Sequence, residues 1–174
     1  ERAYALDPVN AAIVAQMGMM SFRGGDAREG STWLEESRAL GIHDGDPILH
    51  GVMLATAGEL DRAAELLRNT RMTPDTAWVE DFATAIREPG AQPDLEASVM
   101  SAIQGGPAAN YRGWFAAAMR SPKLIDLIDT GELGCGGGSL ENIWHPDNLE
   151  LRGSVRLFEA LQKVGLVDYW ENYG

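Results

Sequence analysis

The stretch Gly18-Met19-Met20-Ser21-Phe22-Arg23-Gly24-Gly25-Asp26-Ala27-Arg28-Glu29-Gly30-Ser31-Thr32-Trp33-Leu34 has a counterpart in Gly51-Val52-Met53-Leu54-Ala55-Thr56-Ala57-Gly58-Glu59-Leu60-Asp61-Arg62-Ala63-Ala64-Glu65-Leu66-Leu67. Gly18, Gly25-Asp26, Gly30 and Leu34 return as Gly51, Gly58-Glu59, Ala63 and Leu67, each displaced by 33 residues. A period of that length marks a unit that cannot bury its apolar face alone and must stack on neighbours. Within the first unit Val14, Met17, Gly18 and Ser21 share one helical face, and Gly30, Trp33, Leu34 and Ser37 share another beyond the loop Arg23-Gly24-Gly25-Asp26. Glycines at 18 and 30 cost about 1 kcal/mol each against alanine inside a helix. Close approach of two backbones is the physical reason to accept them. Asp26 with Glu29 fits a capping box, which starts the second helix near Ala27, and Gly41 suits the left-handed residue that ends it.

These residues resemble the tetratricopeptide repeat, a helical hairpin with a glycine late in its first helix, a Gly-Asp turn, a small residue early in its second helix and a closing proline, here Asp7-Pro8 for the preceding unit. The chain departs from that pattern where Ser21 replaces the usual Tyr, Ser37 and Thr70 the late small residue, Pro47 an aromatic and His50 a Leu. The resemblance implies an all-α fold of stacked antiparallel hairpins, with about ten helices counted from the apolar periodicity. One domain is expected over 1–174: repeats at 10–42 and 43–75, irregular helical pairs at 76–131 and a capping segment at 139–174. Leu157, Leu161, Val164, Leu166, Tyr169 and Trp170 are expected to cover the open end of the stack. The ending Gly165-Leu166-Val167-Asp168-Tyr169-Trp170, with Trp144-His145-Pro146-Asp147 before it, resembles the closing segment of repeat regions in bacterial winged-helix transcriptional regulators and repeat-bearing adenylate cyclases. That implies a regulatory or sensory module of a larger bacterial signalling protein, with any effector domain upstream of Glu1.

Composition narrows the partners. A formal charge of −12 and a pI near 4.6 oppose nucleic-acid or anionic-membrane binding by this segment, which needs clustered Lys and Arg. A single cysteine, Cys135, excludes an internal disulfide. No apolar run approaches the ~18 residues of a membrane span. The compartment stays open: cytoplasmic, or periplasmic behind an upstream span.

Several residues could carry chemistry. His43, Asp44, Asp46 and His50 are of metal-ligand type, but Asp46-Pro47 is a strong helix start and His50 falls on a buried face, so a capping turn and a core histidine are expected. Cys135 among Gly134, Gly136, Gly137 and Gly138 has neither the Lys and Ser or Thr of a P-loop nor a rigid mount for a nucleophile. His145 precedes a Pro-Asp turn and reads as structural. Glu35, Glu36, Glu59, Asp61 and Glu65 read as a solvated face. No catalytic residue, metal or cofactor is therefore expected. The expected activity is binding of a protein or peptide segment, or a small effector, in a concave groove lined by first helices. The resemblance puts Met19, Phe22 and Arg23 of unit one and Ile48, Val52 and Ala55 of unit two in that groove. The competing readings are a helical enzyme using His50, His145 and Cys135 in a buried pocket, and a homodimerisation module.

Overall fold

The computed structural model describes residues 2–41, 47–70, 77–88, 93–104, 110–132, 143 and 145–173. Among these, the backbone forms twelve α-helices and no strand, and no helix is long and apolar enough to cross a membrane. The fold is all-α, as expected. In chain order the helices are α1 (Arg2–Leu6), α2 (Ala11–Arg23), α3 (Ala27–Ala39), α4 (Pro47–Thr56), α5 (Leu60–Arg68) and α6 (Ala77–Arg87). There follow α7 (Pro93–Ala102), α8 (Arg112–Ala118), α9 (Lys123–Asp129), α10 (Leu149–Arg152), α11 (Val155–Lys163) and α12 (Leu166–Tyr173). The two beyond the expected ten are α1 and α10, of five and four residues, too short to show a periodicity in sequence.

The repeated stretches fold alike at their turns. After α2, Asp26 N–H donates to the Ser21 carbonyl and Gly25 N–H to that of Phe22, both at 2.9 Å. After α4, Glu59 N–H donates to Leu54 at 2.9 Å and Gly58 N–H to Ala55 at 3.0 Å, the same two bonds 33 residues on. Gly25 and Gly58 stand at φ +96° and +83°, the left-handed conformation this helix ending requires. Asp26 caps α3 by accepting from Glu29 N–H at 2.8 Å. The expected return bond of a capping box is pre-empted, because Asp26 N–H is committed to Ser21.

Helix α2 lies against α3 in the opposite sense. Ser37 near the end of α3 donates to the Ala11 carbonyl at the start of α2 (2.8 Å), while Gly30 lies against Gly18 and Phe22 nearer the turn. Pairs α4–α5 and α6–α7 also pack together, with α3 on α4 and α5 on α6 between pairs. Helix α4 is predominantly apolar, and Ile48 through Ala55 are all buried, with His50 the polar residue among them.

The core has two parts that meet at α8. Trp114 and Phe115 face the first, where Phe115 makes edge contacts with Phe82 (4.8 Å) and Trp78 (5.5 Å). Ala116 and Ala117 face the second, built from Leu124, Ile128, Ile143, Leu157 and Leu161. Between α9 and α10 the chain returns to the first hairpin: the His145 ring packs 5.2 Å from that of Phe22, and Pro146 fills the space beside Gly25.

Candidate functional site

The inner faces of α2 and α4 are not an open groove. Phe22, Ile48, Val52 and Ala55 are core residues, at most 3% exposed. Phe22 is covered by Trp114 (5.5 Å) and His145, and α8 packs on α4, so the chain's own later segments occupy the surface expected to receive a ligand. Met19 is half-buried against the same core. Arg23 is half-buried, its guanidinium 3.9 Å from the Met20 sulfur.

Among the described residues a cleft lies on the other side of α4, where α3, α4 and α5 meet. Its volume is about 220 Å³. Glu35 and Arg38 line it from α3, and His50 and Leu54 from α4. Helix α5 contributes Arg62, Glu65, Leu66 and Asn69, the last at its C-terminal cap, a stripe at spacings of three and four. Here the acidic residues read as a solvated face are organised: the Glu35 carboxylate accepts from Arg62, which also pairs with Glu59. Arg38 and Glu65 line the same cleft and have no ion pair among the described residues.

His50 is the buried polar group at this cleft, 3% exposed. Its Nε2 lies 2.9 Å from Ser31 Oγ and 3.8 Å from Glu35 Oε1. Burial pushes its pKa down to about 4, reinforced by the Arg38 guanidinium and opposed by the Glu35 carboxylate, so the ring is neutral at pH 7. The carboxylate on the Nε2 side favours the tautomer with the proton there, donating to Ser31. Nδ1 is then an acceptor, and it is buried with no hydrogen-bond partner among the described residues. Serine, histidine and glutamate do not form a catalytic relay here. Such a relay needs the nucleophile on one ring nitrogen and the acid on the other, whereas Ser31 and Glu35 both face Nε2.

His145 is buried against Phe22, in surroundings separate from the Ser31 and Glu35 side chains beside His50. His43, Asp44, Asp46, Cys135 with its glycines, and Trp144 lie outside the described residues. Among the described residues no group of three or more His, Cys, Asp or Glu side chains is placed to hold a metal ion.

At the chain's far end the expected cap divides. Leu157 and Leu161 of α11 are buried, but Val164, Tyr169 and Trp170 are exposed, and α12 buries only Val167.

Comparison with known proteins finds no family model, no curated protein and no solved structure that matches this chain.

Proposed function

We propose that this chain is a tetratricopeptide-like, non-catalytic regulatory module that binds a small effector in the cleft between α3, α4 and α5, as part of a larger bacterial signalling protein. The observation that carries this reading is a cleft between the two repeated units whose lining includes His50, a buried ring with one nitrogen that has no hydrogen-bond partner among the described residues. A buried polar group without a partner costs roughly 1–3 kcal/mol. A site that satisfies it on binding recovers that cost. The recurrence of one turn geometry at 33 residues supports the repeat assignment, and the −12 charge supports a ligand other than nucleic acid. Among the described residues, Ser31, His50 and Glu35 do not stand in relay geometry.

A thermal-shift screen of small polar metabolites, with the imidazole resonances of His50 followed by NMR, tests the proposal. At least one compound should raise the melting temperature and move those resonances. A screen in which no compound moves them overturns it.

Self-association is favoured by a separate observation. Val155, Phe158, Tyr169 and Tyr173 on α11 and α12 are 72, 55, 58 and 78% exposed. Light scattering across a range of concentrations distinguishes a dimer formed through that face from a monomer.

A further inference from the structure

The charges left over in the cleft define the class of its ligand, and this step rests on the effector-binding reading above. Arg62 is shared between the Glu35 and Glu59 carboxylates. Among the described residues that line the cleft, one cation, Arg38 of α3, and one anion, Glu65 of α5, make no ion pair. His50 adds no charge, because its ring is neutral. A simple anion would satisfy Arg38 and be repelled by Glu65, and a simple cation would meet the reverse. A molecule carrying both charges satisfies both.

The dimensions agree. Clefts that hold drug-sized ligands run about 300–1,000 Å³, and this one is about 220 Å³. Leu54 and Leu66 give the cleft an apolar patch, and the Asn69 side-chain amide, which makes no hydrogen bond among the described residues, adds a donor and an acceptor at its edge.

We infer that the cleft binds a small zwitterion of the free amino-acid class, its carboxylate on the Arg38 guanidinium, its ammonium on the Glu65 carboxylate and its side chain against Leu54 and Leu66. Arg38 and Glu65 are then the residues that determine specificity for an uncapped amine and an uncapped acid.

Isothermal titration of the whole chain with free L-leucine, L-glutamine and L-serine, and with their N-acetyl and C-terminal amide forms, tests this. At least one free amino acid should bind saturably, and either cap should weaken it about tenfold or more, the scale of a charged hydrogen bond. Arg38→Met should abolish the discrimination between acid and amide while keeping that between amine and acetyl. Glu65→Gln should do the opposite. Equal binding of capped and uncapped forms overturns the inference, as does the absence of binding by all three free amino acids. In that last case, another compound from the screen that moves the His50 resonances leaves the cleft as an effector site of different chemistry, whereas none doing so removes both.

Discussion

Gly18 and Gly30 lie face to face: a Cβ built on either would fall 2.8 Å from the carbonyl oxygen of the other. The obstacle is backbone on both sides, so neither a rotamer change nor a small side-chain shift relieves it. Alanine at either position gains about 1 kcal/mol in helix propensity and must pry α2 from α3. Overpacking of this kind costs typically about 1–3 kcal/mol. Gly18→Ala and Gly30→Ala are each expected to lower stability in urea unfolding despite the better helix former. An unchanged midpoint would mean that the two helices are not held this closely.

Gly25 and Gly58 offer an internal comparison. Both need the left-handed conformation, which costs a non-glycine residue roughly 1–2 kcal/mol. Only Gly25 also meets a neighbour, because its Cβ would fall 2.5 Å from Pro146 Cγ, whereas Gly58 has nothing within 4 Å. Gly58→Ala should therefore show the backbone cost alone, and Gly25→Ala a larger loss. In a double-mutant cycle Pro146→Ala should recover part of the excess at Gly25 and none at Gly58. Equal losses at the two glycines would place the segment 145–148 away from the first hairpin.

The hairpins were legible in sequence because the signals that make them are local: a left-handed glycine, a capping Asp and apolar residues three and four apart. Gly18 and Gly30 even announced a backbone contact through their cost. The site was less legible because it is assembled by stacking. Glu35 and Glu65 read in sequence as parts of a solvated face, and only the packing of α5 against α3 and α4 sets them, with Arg62 and Asn69, in a cleft wall. His50 reads in sequence as a core histidine, but its pairing with Ser31, nineteen residues away, depends on how α3 meets α4. The resemblance puts Phe22, Ile48, Val52 and Ala55 in a groove because such hairpins have an open inner face. Here Trp114 and His145, distant in sequence, cover Phe22, and α8 packs on α4.

The neutral state of His50 makes stability depend on pH. Its pKa is about 4 in the folded chain against an ordinary 6.5, so the unfolded chain binds the extra proton first. Stability from this group is whole above pH 6.5 and is lost as pH falls from there toward 4. The loss is at most roughly 3 kcal/mol at 1.36 kcal/mol per unit. Arg38 and Arg62 deepen the depression, and Glu35 and Glu59 oppose it. Urea unfolding at intervals from pH 7 to 4.5 should show a decline that His50→Gln reduces. The variant should be less stable at pH 7, where the Ser31 contact is disturbed, and should close the gap at acid pH. Parallel curves for the two proteins would show that His50 is already protonated or exposed in the native state.

Truncation separates the two helices at the end of the chain. Helix α11 contributes Leu157, Ala160 and Leu161 to the second core and holds two cross-links to α9, Arg156 to Asp126 at 2.6 Å and Lys163 to Asp129 at 2.8 Å. A buried leucine is worth roughly 1.5–3 kcal/mol, against the ~5–15 kcal/mol that stabilises a domain. Ending the chain after residue 153 should therefore expose Leu124 and Ile128 and unfold or aggregate the second core. Ending it after residue 164 removes one buried side chain, Val167, and should lower the melting temperature by only a few degrees, on the scale of about 2–4 °C per kcal/mol. The same shorter deletion strips Tyr169 and Tyr173 from the exposed face, so any self-association through α12 should vanish with it. If both truncations melt equally low, α12 is part of the cap. If neither does, the second core closes without this segment, and α11 and α12 together form a binding surface laid on a domain complete without them.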